Sequence, residues 1–282
     1  MRHMTPPDRM EALATRPWVR LSERALGKAR RVPTMLSEEE QKLYYWLTAF
    51  WAEGRGATVD LGCFAGGSTA RLAEGHRTAG HAAKVHGFDR FTADETAKRR
   101  VLYAQTIAPF DGHDILPLTR TLLTPWRDQV RLHRGEIDQM AWTGGPIELL
   151  VMDASKAAVT GDAMAETFFP YLLPGASLVI SQDYLHWSQP WVPAQMDALS
   201  AFFRPVAHAP RDTVIFACER VPDRAALEAA RIAGLDDAAL DAHLSNAEAQ
   251  VSDWGLAPRF ADMRAALAAN PGKRRAHLFV RP

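Results

Sequence analysis

The sequence predicts an α/β protein with a doubly wound, mostly parallel sheet of seven strands. Short apolar runs alternate with segments of helical periodicity along most of the chain. This alternation is typical of a parallel sheet covered by helices on both faces. The first run, 57–61, passes directly into a glycine-bearing turn, and the last two flank a short turn at 209–212. A turn this short joins antiparallel strands, so we expect a hairpin at the edge of the sheet.

The individual elements follow from these patterns. Strands are predicted at 57–61, 84–88, 130–134, 147–153, 176–182, 203–208 and 212–219. Helices are predicted between them at 68–74, 94–106, 117–126, 158–172 and 189–202. Ser37 and Glu40 form a capping box that begins a helix before the first strand, and Gly54 ends it. We expect Gly75 to end the helix that begins at Ser68.

The chain is expected to have three parts. Residues 1–55 hold a partly ordered lead-in and the capped helix, 56–221 the core, and 222–282 a helical appendage that is not an independent domain. Helices of the appendage are predicted at 223–233, 236–253 and 258–269. Their apolar faces are narrow, which favours packing or an oligomer contact over contact with substrate.

Composition excludes several classes of function. The 33 basic and 33 acidic residues cancel, and no long basic block is present, which argues against a nucleic-acid partner. No apolar run approaches the roughly 18–20 residues of a membrane span, and the N-terminus has no signal pattern, so a cytoplasmic protein is expected. Two cysteines without a CxxC pair predict neither a disulfide scaffold nor a cysteine metal site.

The glycine turn is the most informative segment. Residues 57–68 read ATVDLGCFAGGS, a strand followed by a tight turn and the start of a helix. This arrangement holds nucleotide-like ligands in many α/β proteins. Gly62 permits the exit from the strand, and Gly66 and Gly67 remove Cβ atoms where we expect a ligand to approach. An ordinary strand-to-helix turn is the alternative interpretation.

Acidic residues around this turn separate two classes of ligand. Asp89 ends the second strand, where a carboxylate can bind ribose hydroxyls, although a loop acid or helix cap would also explain it. Dinucleotide sites favour G-x-G-x-x-G, whereas this turn has Gly62-x-x-x-Gly66-Gly67 preceded by Asp60. An acid at this place suits a cationic ligand such as S-adenosylmethionine better than a pyrophosphate.

These residues resemble the first motif of the class I S-adenosylmethionine-dependent methyltransferases, acid-x-Gly-x-Gly-x-Gly. Phe64 replaces the second glycine, which is the pattern of the macrocin-type branch of sugar and small-molecule O-methyltransferases. Three later segments resemble that branch in the same order: GFDRF at 87–91, IELLVMD at 147–153 and LLPGASLVISQDY at 172–184. The resemblance implies a Rossmann-like methyltransferase fold whose seventh strand is antiparallel.

The resemblance also implies a set of site residues. Those expected to bind S-adenosylmethionine are Asp60, Gly62, Phe64, Gly66, Gly67, Ser68 and Asp89. Glu136 or Asp138, after the third strand, is expected near the adenine, with simple solvated acids as the alternative. In the sugar-methylating branch, acids after the fourth and fifth strands hold Mg²⁺, so Asp153, Asp183 and Gln182 are the candidate ligands.

The candidate metal site departs from that branch. Gln182 stands where the first of two paired acids is expected, and 154–156 replace a second acid and a tyrosine with Ala-Ser-Lys. Fewer anionic ligands weaken a divalent site, and Lys156 would repel the metal if it points inward. Dependence on Mg²⁺ therefore remains open at this point.

The predicted activity is transfer of a methyl group to a small-molecule acceptor at a hydroxyl. Candidate general bases are Asp153, Asp183 and His186, because a hydroxyl must lose its proton as the methyl arrives. A loop histidine that caps the next helix is the alternative for His186. Two other functions stay open: a nicotinamide (NAD)-dependent oxidoreductase on a related fold, and a non-catalytic cofactor-binding or regulatory protein. The acceptor, which could be a sugar, polyketide or phenol, and a homo-oligomeric state are not determined by the sequence.

Overall fold

The computed structural model describes residues 6–282, and within them the chain forms one seven-stranded sheet. Its strands are β1 (Ala57–Leu61), β2 (Val85–Asp89), β3 (Val130–Arg134), β4 (Ile147–Met152), β5 (Leu178–Ser181), β6 (Phe203–Ala209) and β7 (Thr213–Cys218). The order is β3-β2-β1-β4-β5-β7-β6, and β7 alone runs opposite to the other six strands. The predicted doubly wound sheet and its edge hairpin are confirmed.

Helices connect and cover these strands. They are α1 (Pro6–Ala14), α2 (Glu38–Trp46), α3 (Gly67–Ala79), α4 (Glu95–Ala97), α5 (Leu116–Leu122), α6 (Ala158–Phe168), α7 (Trp191–Ala198), α8 (Arg224–Ala229), α9 (Asp237–Gln250) and α10 (Ala257–Ala269). A π-helical segment continues α2 at Leu47–Trp51, and another continues α4 at Lys98–Leu102. Each helix predicted from periodicity is found, although several are shorter than predicted.

The capping box at the start of α2 is confirmed. The Ser37 side chain accepts a hydrogen bond from the Glu40 backbone N–H, and Glu40 Oε2 accepts one from the Ser37 N–H at 2.7 Å. These bonds satisfy two backbone donors that would otherwise lack partners at a helix N-terminus. Glu40 is nonetheless fully buried, so its second carboxylate oxygen must find partners inside the protein.

One prediction about local structure was wrong: helix α3 does not end at Gly75 but continues to Ala79. Glycine is needed at 75 for another reason, because a Cβ there would collide with Thr48 and with the Tyr45 carbonyl of the neighbouring helix. The glycine thus permits close helix packing. In the described part of the lead-in, α1 is followed by 3-10 helices at Pro17–Arg20 and Glu23–Arg31, and Trp18 is fully buried. Residues 1–5 lie outside the described part.

The core fills both faces of the sheet. On one face α2 and α3 pack against side chains such as Val151 and Ile180, and on the other α6 and α7 pack against Val59 and Val179. Buried apolar residues of α9 and α10, including Leu244 and Phe260, pack into the cluster on the face covered by α6 and α7. The C-terminal helices therefore complete the core instead of forming a separate one.

Between residues 6 and 282, no helix combines the length and the apolar character that crossing a bilayer requires.

Candidate functional site

A cavity of about 480 Å³ opens at the carboxyl ends of β1 to β4. Ligands of doubly wound sheets bind at this edge, next to the point where the strand order reverses. In this sheet the reversal lies between β1 and β4. The cavity is lined by six of the residues selected from the sequence: Gly62, Phe64, Asp89, Glu136, Asp138 and Asp153. The fold therefore brings candidate residues from four strand ends to one site.

Asp89 connects the loops that follow β1 and β2. Its Oδ2 accepts a hydrogen bond from the Phe64 backbone N–H at 3.0 Å, and its Oδ1 accepts one from the Phe91 N–H at 2.7 Å. Both phenylalanines have left-handed backbones, with φ of 47° and 56°. Burial raises the pKa of Asp89, although the backbone donors act in the opposite direction. The carboxylate thus fixes two irregular loops at the cavity wall.

Asp60 lies beneath the glycine turn and is fully buried. Its Oδ2 accepts hydrogen bonds from Ser68 Oγ at 2.7 Å and from Thr69 Oγ1 at 2.6 Å, whereas its Oδ1 is buried without a partner. Burial raises the pKa of Asp60 to about 6, although the two hydroxyl donors lower it. An unpartnered buried carboxylate oxygen is unfavourable, so a donor or cation that reached it would be stabilised.

The glycines of the turn make room mainly for the protein itself. A Cβ at Gly62 would lie 2.5 Å from the Asp153 carbonyl oxygen, and one at Gly66 would lie 2.7 Å from Leu123 Cδ1. A Cβ at Gly67 would collide with the Pro33 carbonyl oxygen. We expected a ligand at Gly66 and Gly67, and the structure places protein atoms there. Gly62 lines the cavity, whereas Gly66 does not.

The lead-in segment covers the N-terminus of α3. The Pro33 carbonyl lies over Gly67, and the Thr34 backbone N–H and carbonyl are both bound by the Gln105 side chain. Only a space of about 20 Å³ remains beside Gly67 and Ser68. A pyrophosphate binds against exposed helix N–H groups, and this covered N-terminus has no room for one.

The two candidate adenine-binding acids remain on the cavity wall. Glu136 and Asp138 are exposed and flank the buried Ile137 in the loop that follows β3. Both side chains line the cavity. Their assignment to the adenine stays a prediction, and both are available to a ligand.

Three charged side chains meet after β4 and β5. Lys156 Nζ lies 3.1 Å from Asp153 Oδ1 and also forms a close ion pair with Asp183 Oδ2. Burial raises the pKa of Asp153, Lys156 lowers it, and Asp183 raises it further; burial prevails. Partial burial lowers the pKa of Lys156, but the two carboxylates together outweigh it and raise the pKa. The ammonium therefore stays charged between the two acids.

Gln182 lies away from the cavity, in a buried polar network. Its Oε1 accepts a hydrogen bond from Tyr44 Oη at 2.6 Å, and its Nε2 donates to Glu40 Oε1 at 2.7 Å. Thr213 Oγ1 lies 2.7 Å from Glu40 Oε1 and 3.0 Å from Gln182 Oε1, and its single proton can go to either acceptor. The amide oxygen that we assigned to a metal is thus turned into this network, so the structure does not support Gln182 as a ligand.

His186 follows β5 but does not line the cavity. Its Nδ1 lies 3.0 Å from Ser188 Oγ and accepts the Ser188 N–H at 3.4 Å. The histidine therefore bonds within its own loop and does not cap the following helix, because α7 has Pro190 as its N-cap residue and no side-chain cap. Of the three candidate bases, only Asp153 lines the cavity, and Asp183 is linked to it through Lys156.

The sequence analysis missed the contribution of the C-terminal segment. The Ala276 N–H donates to the Lys156 carbonyl at 2.9 Å, and the Ala158 N–H donates to the Arg274 carbonyl at 3.0 Å. This pairing places Arg275 and His277 on the cavity wall. No local signal marks them, because their position depends on α8 to α10 folding back over the sheet.

Comparisons with known proteins place this geometry in context. No family model and no curated protein matches the chain. Among solved structures, PaMTH1 from Podospora anserina, a methyltransferase bound to SAH, is 13% identical, with a TM-score of 0.42 over 76% of this chain and 89% of that one. CalS11, the TDP-rhamnose 3'-O-methyltransferase of calicheamicin biosynthesis, is 13% identical, with a TM-score of 0.45 over 77% of this chain and 96% of that one.

A third solved structure, cofactor-bound Rv0187 from MTB, is 14% identical, with a TM-score of 0.45 over 78% of this chain and 100% of that one. Because identity is this low, the function proposed below rests on the residues of this chain.

Proposed function

We propose that this protein transfers a methyl group from S-adenosylmethionine to a hydroxyl of a small molecule. The Asp89 carboxylate carries the proposal, because it lies on the cavity wall with each oxygen held by one backbone N–H, from Phe64 and from Phe91. A carboxylate oxygen can accept two hydrogen bonds. The two positions that remain suit the paired hydroxyls of a ribose.

The covered N-terminus of α3 argues against a dinucleotide, because it offers a pyrophosphate no N–H groups. Acidic and basic side chains both line the cavity: Asp89, Glu136, Asp138 and Asp153, with Arg90, Lys156 and Arg275. The carboxylates among them would pair with the amino group and sulfonium of S-adenosylmethionine.

Chemistry at the acceptor would use Asp153. S-adenosylmethionine supplies a methyl group already activated by its sulfonium, so the protein has mainly to align the acceptor and accept its proton. Asp153 lines the cavity, and burial raises its pKa toward the range useful for a base. As the acceptor oxygen bonds to the methyl carbon, its proton passes to the Asp153 carboxylate and S-adenosylhomocysteine leaves.

Isothermal titration calorimetry tests the ligand class. We expect S-adenosylmethionine and S-adenosylhomocysteine to bind to the purified protein, and NAD to give no heat above its dilution control. Binding of NAD without binding of S-adenosylmethionine would overturn the proposal and favour an oxidoreductase.

An acceptor screen tests the reaction. The protein is incubated with S-adenosylmethionine and a panel of sugars, phenols and polyketides, and S-adenosylhomocysteine formation is measured. Asp153→Asn is the matched control, since it removes the base and keeps the shape of the side chain. Donor binding without turnover on any acceptor would favour a cofactor-binding protein that does not catalyse.

A further inference from the structure

Lys156 occupies the place between the two acids that the family resemblance assigns to a metal. Its Nζ is 3.1 Å from Asp153 Oδ1 and in direct ion contact with Asp183 Oδ2. A divalent ion that bound both carboxylates would lie against the ammonium and be repelled by it.

The remaining donors do not fit a metal either. The Gln182 Oε1 accepts a hydrogen bond from Tyr44 Oη inside the buried network and lies within reach of the Thr213 hydroxyl. Within residues 6–282, no group of three or more histidine, cysteine, aspartate or glutamate side chains is arranged to hold a metal ion. Mg²⁺ is commonly held by one or two carboxylates together with several waters. Asp153 and Asp183 could supply these carboxylates only without the ammonium that they already share.

The backbone holds Lys156 firmly in this position. Its N–H donates to the Ala154 carbonyl at 2.8 Å, and its carbonyl accepts the Ala276 N–H at 2.9 Å. The Trp191 indole donates to the preceding carbonyl, that of Ser155, at 2.7 Å. The loop after β4 is therefore fixed on one side by α7 and on the other by the C-terminal segment.

We propose that the Lys156 ammonium is the built-in cation of the acceptor site and takes the place of a divalent metal ion. This inference rests on the proposed methyl transfer. An ammonium has three N–H donors, and two serve Asp153 and Asp183. The Lys156 side chain keeps 56% of its surface exposed and lines the cavity, so the third donor can bind the acceptor oxygen. There it stabilises the negative charge that develops as the proton leaves.

Removal of the ammonium should expose a latent metal site. In Lys156→Ala, Asp153 and Asp183 lose their shared counter-ion and repel each other. The variant should unfold at a lower temperature than the parent, and Mg²⁺ or Ca²⁺ should restore part of the difference in a saturable manner. The parent should show no saturable response to either ion.

Thermal unfolding tests this without knowledge of the acceptor. The melting temperature is measured for the parent, Lys156→Ala and Lys28→Ala during titration with MgCl₂, CaCl₂ and NaCl at matched ionic strength. Lys28 is exposed on the lead-in segment, so its variant controls for the loss of a surface lysine. Lys156→Ala with Asp183→Asn should lose the response to divalent ions, because one carboxylate of the pair is gone.

The outcomes separate this inference from the proposed function. The proposal would be overturned if Mg²⁺ stabilised the parent in a saturable manner. It would also be overturned if Mg²⁺ and Ca²⁺ did not stabilise Lys156→Ala. Circular dichroism shows whether that variant is folded; if it is not, Lys156→Met is titrated instead, since it keeps the length of the side chain. Failure of S-adenosylmethionine to bind the parent would overturn the methyltransferase function and leave the ion-pair result unaffected.

Once an acceptor is known, turnover supplies a second test. Lys156→Met should lower kcat by about tenfold or more, the effect of losing a charged hydrogen bond, while affinity for the donor stays the same. Chelators should leave the kcat of the parent unchanged. A parent inactivated by chelator and reactivated by Mg²⁺ would contradict the proposal.

Discussion

Asp89 Oδ2 accepts the backbone N–H of Phe64 at 3.0 Å, so the residue that ends β2 fixes the turn that follows β1. The same carboxylate lines the cavity. Removal of this side chain therefore changes both the turn and the proposed ligand site, and the two effects must be measured separately.

The first prediction concerns Asp89→Ala. Loss of a charged acceptor of two ribose hydroxyls should weaken S-adenosylmethionine binding by about ten- to hundredfold, or roughly 1.5–3 kcal/mol. Calorimetry measures the affinity, and thermal unfolding shows how far the loops at Phe64 and Phe91 are loosened. Asp253→Ala, at an exposed acid of the C-terminal region, is the control. A folded Asp89 variant that binds the donor as the parent does would remove Asp89 from the site.

The second prediction concerns Gly66→Ala, for which Gly80→Ala is a matched control. Both glycines have left-handed backbones, with φ of 86° and 73°, but a Cβ at Gly66 meets Leu123 whereas one at Gly80 meets nothing within 4 Å. Each variant should lose about 1–2 kcal/mol of unfolding free energy to backbone strain. Gly66→Ala should lose about 1–3 kcal/mol more through overpacking.

Urea unfolding of the two variants measures this difference. Together, Gly66→Ala and Leu123→Ala should cost less than the sum of the two single losses, because the truncated side chain no longer meets the new Cβ. Equal unfolding free energies for Gly66→Ala and Gly80→Ala would show that the Leu123 side chain can move aside without cost.

The third prediction is a pH dependence due to Asp60. Its pKa is about 6 in the folded protein and near 3.8 in the unfolded chain, so the folded state binds the proton more tightly. The stability that this provides is present below about pH 4 and is lost as pH rises through about 6. Relative to Asp60→Asn, the parent should lose about 3 kcal/mol over this range.

The measurement is the unfolding free energy of the parent and Asp60→Asn at intervals across that range. A constant offset between them reflects differences in hydrogen bonding and does not bear on the prediction. A difference that does not change with pH would mean that Asp60 titrates normally in the folded protein.

The fourth prediction concerns Gln182→Glu. The new carboxylate would face Glu40 Oε1, which the Gln182 amide now approaches at 2.7 Å. Two buried like charges cannot both ionise at this distance, so we expect a loss of about 3 kcal/mol or more in unfolding free energy at neutral pH. Gln182→Met, which adds no charge, is the control for loss of the hydrogen bonds. If Gln182→Glu instead gained saturable Mg²⁺ binding, the position would belong to a metal site.

The fifth prediction separates the candidate bases. Asp153→Asn should lower turnover by about 10²-fold or more, the effect of losing a positioned base. His186→Ala should retain turnover within about tenfold of the parent, because His186 does not line the cavity. Steady-state kinetics with an identified acceptor measures both. The reverse order of effects would assign the base to His186 through a closed state of the site.

The sequence by itself determined the fold class, the strand positions and the residues at the strand ends. These features depend on neighbours in the chain: Ser37 and Glu40 cap a helix three residues apart, and an apolar strand runs directly into Gly62. Asp89 and Asp153 could be selected because the carboxyl ends of parallel strands meet at one edge of the sheet.

Only the tertiary structure decided which side chains meet. Gln182 bonds to Glu40, which lies 142 positions earlier, and Lys156 joins two strand ends by binding Asp183. The C-terminal segment places Arg275 on the cavity wall by pairing with the loop after β4. Such contacts depend on how distant segments pack together, and apolar periodicity does not encode them. For this reason the sequence left Lys156 as a possible repulsion, whereas the structure places its ammonium between Asp153 and Asp183.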